Sequence, residues 1–184
     1  MNNNVIKNNV IKWLAKAVST DKTRPHLQKI FYSVKNNELF ATDGHRIHVL
    51  LEARKHFPDF AAIPYDTRFQ VFKIQGKLEL IPVREDLPAI PDVRKRYSVS
   101  TEGCPEVTVF SHKSQKNDRL HYDFCNVVLK FGSAFNFDYF RDAVDTGRIL
   151  GEFTVTQPEP KGSLIFKLTG APEKLVALVL PYRS

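Results

Sequence analysis

The sequence has few cysteines and no long hydrophobic run. Only two of its 184 residues are cysteine, and neither Cys104 nor Cys125 belongs to a CxxC pair or a His-rich stretch. This pattern excludes a disulfide framework and a structural zinc site, and it predicts two buried free thiols. No segment approaches the roughly 18 apolar residues of a membrane-spanning helix, and the first residues lack a signal-peptide core. We therefore expect a cytoplasmic protein without membrane association.

The motifs of common enzyme classes are also missing. There is no Walker loop, no GxGxxG and no HExxH. An acid, a histidine and an arginine stand close together at Asp43, His45 and Arg46. A strand would turn His45 and Arg46 to opposite faces, and no nucleophile or second carboxylate lies at a suitable spacing. His45 and His48 have the wrong spacing for a metal-binding face of a strand. We expect no catalytic residue, no metal and no cofactor.

Acidic residues are outnumbered by basic ones. The chain has 27 Lys and Arg against 20 Asp and Glu, which gives a net charge of +7. The excess is concentrated at the front, because residues 1–54 hold 9 basic and 4 acidic side chains. This charge favours an anionic partner, although solubility alone is the alternative. We predict that Arg94, Lys95 and Arg96 form a solvated loop, with phosphate contact as the second interpretation.

Hydrophobic periodicity predicts a mixed α and β chain. The predicted helices cover 8–18, capped by Asn8 or Asn9, and 137–146, capped by Asn136. Hairpin turns are predicted at Asn36–Asn37 and at Gln75–Gly76. The predicted strands are 27–34, 38–42, 46–52, 69–74, 77–83, 106–111, 122–131, 150–156, 163–169 and 175–182.

A helix followed by three strands occurs once at each end of the chain. This recurrence indicates an internal duplication. We predict a single domain over 1–184, in which 1–54 is the core of the first repeat and 131–184 the core of the second. Residues 55–130 would form an inserted, β-rich middle segment with connecting strands.

Two pairs of motifs resemble one protein family. Residues 19–27, STDKTRPHL, and residues 41–47, ATDGHRI, resemble the central domain of the bacterial DNA polymerase III beta subunit, the sliding clamp. Residues 135–142, FNFDYFRD, and residues 179–183, VLPYR, resemble a helix and the terminal strand of the clamp's last domain. The matches lie at both ends of the chain in the family's order.

The resemblance implies an α+β, DNA-clamp fold of two βαβββ repeats, with helices on one face of antiparallel sheets. It also implies a single-domain, non-catalytic replication accessory protein that binds double-stranded DNA without sequence preference. Polymerase or clamp-loader proteins would dock on it through a short hydrophobic peptide, and a homo-oligomer is possible. Two alternatives remain open: a monomeric adaptor or decoy that does not encircle DNA, and a plain nucleic-acid-binding β protein.

The resemblance also assigns site residues. One wall of a peptide-binding pocket would consist of Leu27, Thr42, Gly44, His45, Arg46 and Ile47. The other wall would consist of Leu178, Val179, Leu180, Pro181, Tyr182 and Arg183. The alternative is that the ATDGHR segment is a structural corner, in which Asp43 caps the turn and Arg46 pairs internally. DNA would be held by Lys12, Lys16, Arg24, Arg141 and Arg148.

Overall fold

The chain divides into two compact units, Met1–Asp92 and Val93–Ser184. The structure is a computed structural model that describes residues 3–84, 89–110, 117–147, 149, 151–171 and 174–182. Arg148 and Arg183, both predicted to be site residues, lie outside the described residues. Whether the two units act together as one domain stays a prediction.

In the described residues of the first unit, one long helix accompanies a five-stranded antiparallel sheet. Its strands pair in the order β5-β4-β1-β2-β3. Short 3₁₀ turns cover Pro25–Leu27 and Pro58–Ala62. Its elements are α1 (Asn3–Ala15), β1 (Ile30–Ser33), β2 (Glu38–Thr42), β3 (Arg46–Leu50), α2 (Ala53–His56), β4 (Thr67–Ile74) and β5 (Lys77–Val83).

Residues that accept positive φ make the two predicted hairpin turns of this unit. Asn37 has φ 55° between β1 and β2, while Gln75 and Gly76 have φ 49° and 80° between β4 and β5. Two consecutive positive values are typical of a type I′ turn, whose twist matches that of the flanking strands. The Gln75–Gly76 prediction is confirmed. The Asn36–Asn37 prediction is half right: Asn37 lies in the turn, but Ser33 pairs with Glu38, so residues 34–37 make a longer connection than a two-residue turn.

Helix α1 supplies the apolar cover of the first sheet. It packs against β2, β3 and β5. The helix begins at Asn3, so the predicted cap at Asn8 or Asn9 is wrong. The Asn8 side chain, within the helix, instead accepts a hydrogen bond from the backbone N–H of Leu78 at 2.7 Å. The buried side chains of this helical segment are Val10, Ile11, Trp13, Leu14 and Ala17.

The described part of the second unit forms a four-stranded antiparallel sheet with two longer helices. Its strands pair in the order β9-β8-β7-β6. Its core includes Phe140, whose ring contacts Phe124 and Phe166 at centroid distances of 5.3 and 5.7 Å. Its elements are α3 (Arg94–Tyr97), β6 (Glu106–Phe110), α4 (Asn117–Phe131), α5 (Phe137–Val144), β7 (Glu152–Thr156), β8 (Leu164–Thr169) and β9 (Leu175–Val179).

The N-cap of α5 was predicted correctly. The Asn136 side chain accepts hydrogen bonds from the backbone N–H groups of Asp138 at 2.8 Å and Tyr139 at 3.3 Å. These bonds satisfy donors that the first turn of a helix leaves unpaired. The helix ends at Val144 with Asp145 as its C-cap, two residues before the predicted end at 146. Gly147, with φ 67°, lies beyond this cap.

The strand predicted over 122–131 is wrong, because this segment belongs to α4. Leu120, Asp123 and Val127 are buried at helical spacing, whereas Leu129 is 81% exposed. Arg119 also bonds Asp123 at 3.1 Å across one helical turn. The cysteine prediction is half right: Cys104 and Cys125 are both free, but Cys125 is exposed and Cys104 only half-buried.

Both units pack helices with an antiparallel sheet, but the strands of the two sheets follow one another differently along the chain. In the second unit, β6 precedes the two longer helices, α4 and α5, and pairs with β7, as a βαβββ repeat requires. In the first unit, the strand beside β1 is β4, which follows β3 in the chain. The predicted middle segment, 55–130, is therefore divided between the two units. Its strands β4 and β5 belong to the first sheet, and β6 belongs to the second.

Candidate functional site

The ATDGHR segment forms a tight corner between β2 and β3. Asp43 Oδ1 accepts hydrogen bonds from the backbone N–H groups of His45 at 2.9 Å and Arg46 at 3.0 Å. Its Oδ2 pairs with Arg46 Nε at 3.0 Å, and both side chains are little exposed, at 13% and 12%. The structural-corner interpretation therefore describes the geometry of this segment.

Thr42 and Gly44 complete the corner. Thr42 Oγ1 donates to the Arg46 carbonyl at 2.8 Å and accepts from the Gly44 N–H at 3.1 Å. Gly44 has φ +93°, and a Cβ at this position would lie 3.2 Å from Arg24 Nη1. The corner thus needs glycine for its backbone conformation, and the guanidinium of Arg24 lies directly against it.

Arg24 is held by the loop that precedes β1. Asp21 Oδ1 accepts from the N–H and the hydroxyl of Thr23 at 2.8 and 2.7 Å. These bonds, the hydroxyl first, lower the pKa of the Asp21 carboxyl. Asp21 also pairs with Arg24 at 3.5 Å. The TDxTRP and ATDGHR segments, 18 residues apart at Arg24 and Thr42, therefore form one local structure.

The residues of the first predicted wall differ in how far they are exposed to solvent. Leu27 and Ile47 are only 8% and 7% exposed, so their side chains belong to the core. Thr42 is buried in the corner, and Arg46 is engaged by Asp43. Gly44 and His45 are the exposed members of this wall.

In the second predicted wall, solvent exposure increases along the chain. Leu178 and Val179 are buried in β9, Leu180 and Pro181 are half-buried, and Tyr182 is 63% exposed. Pro181 forms an isolated bridge with Phe135, and the Tyr182 N–H donates to the Ala134 carbonyl at 2.9 Å. The end of the described chain is therefore tied to the segment that leads into α5.

The second unit also contains a cavity that the sequence did not predict. Its volume is about 190 Å³. It is lined by Lys95, Arg96, Val99, Pro158, Glu159, Ser163 and Ile165. Arg94, Lys95 and Arg96 begin the one-turn helix α3, so their prediction as a loop is wrong, although all three are exposed.

The cavity is structurally connected to the second predicted wall. Ile165 pairs directly with Leu178 in the register of β8 and β9. Helix α3, which carries Lys95 and Arg96, packs against β9. The loop from 157 to 163 is braced by Gln157, whose side chain donates to the Gly162 carbonyl at 2.8 Å. This site could not be predicted from the sequence, because its lining residues come from two distant segments, 95–99 and 158–165.

The predicted DNA-binding cations lie in different settings. Lys12 is exposed on α1, and Lys16, one residue past the helix end, is half-buried. Arg24 is half-exposed and paired with Asp21. Arg141 is bonded to Asp138 at 2.8 Å and lies 3.8 Å from Asp142. Two of these cations are thus offset by acids, which weakens their field toward a polyanion.

A fully buried histidine was not predicted. The ring of His48 stacks on Trp13 with centroids 4.3 Å apart and planes at 14°. Its Nδ1 lies 2.8 Å from the Trp13 carbonyl oxygen, which accepts the proton of the neutral ring. Burial lowers the pKa of His48 to about 3. His48 therefore joins α1 to β3 as a neutral group.

The described residues contain neither a metal-binding cluster nor a membrane-spanning helix. Nowhere among them do three His, Cys, Asp or Glu side chains come close enough to hold a metal ion. None of their helices combines the length and apolar character needed to cross a bilayer.

Solved structures of bacterial sliding clamps are similar to this one. The beta subunit of DNA polymerase from Streptococcus pyogenes matches with a TM-score of 0.61 and 15% identity, over 100% of this chain and 65% of that chain. The beta subunit of DNA polymerase III from Thermotoga maritima matches with a TM-score of 0.60 and 11% identity, over 98% and 64%. The sliding clamp from Bacillus subtilis matches with a TM-score of 0.57 and 17% identity, over 99% and 63%. The chain has the sliding-clamp fold.

The predicted α+β, clamp-like fold class is therefore confirmed, and so is the resemblance drawn from the motifs. The chain spans slightly less than two thirds of the length of the solved clamps that it matches. At identities of 11–17%, these structural matches show the fold alone. No model of a protein family and no curated protein matches the sequence.

Proposed function

We propose that this protein is a non-catalytic, sliding-clamp-like replication accessory protein. It would bind double-stranded DNA without sequence preference and dock polymerase or loader proteins through a short peptide with apolar anchors. The observation that carries the proposal is the cavity of the second unit, beside the strand that bears Leu178 and Val179. The sliding-clamp fold and the clamp-like motifs at both ends support it.

The cavity has the size and lining for one or two anchoring side chains. At about 190 Å³ it is smaller than the roughly 300–1,000 Å³ of sites that enclose a drug-sized ligand or cofactor. Val99, Pro158 and Ile165 supply its apolar surface. A few side chains that fill well-packed pockets carry most of the affinity in many protein interfaces. These features favour a leucine or phenylalanine anchor over a free small molecule.

DNA binding is supported mainly by α1. Lys12 is exposed on this helix, and Lys16 follows at its end. Basic side chains attract the phosphate backbone without reading bases, as a protein that moves along DNA requires. A homo-oligomer of this chain would surround the duplex.

A monomeric adaptor or decoy is the second candidate. It would keep the peptide-docking cavity but would not encircle DNA. The ion pairs of Arg24 with Asp21 and of Arg141 with Asp138 favour it, because they offset two of the predicted DNA-binding cations. Sedimentation velocity with and without duplex DNA separates the two: a closed oligomer supports the clamp, and a strict monomer supports the adaptor.

The docking proposal is tested by placing a charge on the apolar surface of the cavity. Val99 is 42% exposed, so Val99→Glu leaves the core intact. We expect it to weaken binding of a fluorescent peptide with Leu and Phe anchors by at least about tenfold, measured by anisotropy. Ile81→Glu is the matched control, since Ile81 is 37% exposed on β5 of the first unit. Equal affinity in wild type and both variants would contradict docking at this cavity.

A further inference from the structure

The rim of the cavity carries two cations that the described part of the chain leaves uncompensated. Lys95 and Arg96 are exposed, and neither side chain has a hydrogen bond or ion pair with another described residue. Arg141 of the same unit, by contrast, is bonded to Asp138 and lies near Asp142. The two cations on α3 are therefore open to a partner.

The charge of the lining is positive but mixed. Lys95 and Arg96 contribute two positive charges and Glu159 one negative charge, so the titratable lining carries +1. Within the described part of the chain, the Glu159 carboxylate also lacks a hydrogen-bonding or ionic partner. A cleft with an excess of one sign concentrates its field and raises the local concentration of the opposite charge. The lining is suited to a ligand with a single negative group beside an apolar one.

We propose that the cavity selects an acidic peptide, in which an Asp or Glu flanks the apolar anchor. The apolar side chain fills the space between Val99, Pro158 and Ile165, while its acidic neighbour reaches Lys95 and Arg96 at the rim. This inference rests on the proposed function, because it names the class of peptide that docks at the same site. Charge complementarity of this kind sets specificity more than total affinity.

A nucleic acid is the competing occupant, and the lining argues against it. A strand of phosphates would bring several negative charges past Glu159, which repels them. The apolar half of the cavity would also leave a phosphate without donors. A peptide with one carboxylate avoids both costs, since its negative group meets the cations and its anchor meets the apolar surface.

The experiment compares three short fluorescent peptides of equal length with the same Leu and Phe anchors. The residues beside the anchors are Asp, Asn or Lys. With about 50 mM salt, we expect the Asp peptide to bind wild type about fivefold more tightly than the Asn peptide, and the Lys peptide to bind least. Raising the salt to about 200 mM reduces this preference, because exposed charges are screened.

Charge reversal at the rim supplies the decisive variant. Lys95→Glu combined with Arg96→Glu should reverse the order, so that the Lys peptide binds best. Lys55→Glu combined with Lys130→Glu changes the net charge equally at exposed positions outside the cavity, and it should keep the wild-type order. Circular dichroism confirms that each variant is folded.

Each outcome separates this inference from the proposed function. If all three peptides bind wild type within twofold of one another, the acidic preference is wrong while docking stands. If no peptide binds, the proposed function fails and the inference with it. If an oligonucleotide displaces the Asp peptide and depends on Lys95 and Arg96 to the same degree, the cavity is a nucleic-acid site and the inference is overturned.

Discussion

Acid should destabilise the first unit through a single buried side chain, His48. The side chain is fully buried, and its Nε2 has no hydrogen-bond partner among the described residues. Burial is the largest cause that lowers the pKa of His48 to about 3, and the charges of Arg46 and Lys16 act in the same direction. The bond to the Trp13 carbonyl opposes this shift but is weaker. The imidazole is therefore neutral at every pH above about 3.

The sign of the pH effect follows from proton binding in the two states. The unfolded chain binds a proton at His48 near the ordinary value of 6.5, whereas the folded chain does so only near pH 3. The stability from neutral His48 is therefore complete above about pH 6.5 and is lost as the pH falls toward 3.

The size of the effect is large for a protein of ordinary stability. At about 1.4 kcal/mol for each pH unit, the loss is about 2 kcal/mol by pH 5 and about 4 kcal/mol by pH 3, where the folded state also begins to take up the proton. Domains are stable by only about 5–15 kcal/mol, so this one group removes a considerable part of the margin.

Urea unfolding of wild type and His48→Phe measures this contribution. Trp13 is the only tryptophan and is fully buried against His48, so its fluorescence reports on this unit. Phenylalanine preserves an aromatic stack but cannot take up a proton. We expect wild type to lose about 2 kcal/mol more than the variant between pH 7.5 and pH 5. At pH 7.5 the variant should itself be weaker by about 1–3 kcal/mol, because the Trp13 carbonyl loses its donor.

Every other ionisable side chain is common to both proteins, so its contribution cancels in the comparison. An equal loss of stability in wild type and variant between pH 7.5 and pH 5 would refute the reasoning. It would mean that the folded state protonates His48 as readily as the unfolded chain does.

Two further outcomes follow from the described contacts. Lys12→Glu with Lys16→Glu should weaken duplex binding and flatten the slope of log affinity against log salt by up to about two, because each lost phosphate contact removes about 0.9. Lys73→Glu with Lys77→Glu, on exposed positions of the β4–β5 hairpin, is the charge-matched control; the same slope change in both pairs would remove α1 from the DNA interface. Gly44→Ala should lower the free energy of unfolding by about 1–3 kcal/mol, since Gly44 has φ +93° and lies against Arg24. An unchanged urea midpoint would show that this corner accepts an L side chain.

The parts of the fold that the sequence predicted are those decided by neighbouring residues. Asn136 caps α5 through its own backbone neighbours, and the turns at Asn37 and at Gln75–Gly76 contain residues that accept positive φ. Such features depend on a few consecutive positions, so local chemistry suffices to predict them.

The errors arise where distant segments decide the structure. The run from 122 to 131 contains two adjacent valines and aromatics, which favour a strand by propensity. Its helical pattern is visible only when Leu120 and Asp123 are known to be buried with Val127. Likewise, Asn8 is a good N-cap by residue type. Within α1, however, its side chain accepts a hydrogen bond from the backbone N–H of Leu78, 70 positions away.

The charge of the chain shows why the site could be predicted only in part. A count of 27 basic residues treats each of them alike, yet the structure divides them by their surroundings. Arg24, Arg46 and Arg141 each have an aspartate at most three positions away as an ion-pair partner. Their positive charge is therefore offset within the protein. Lys95 and Arg96 are left to face a cavity, although their sequence context is an ordinary basic run. Which cations can meet a partner therefore depends on which acids the fold brings beside them, and a net charge of +7 contains no information about that.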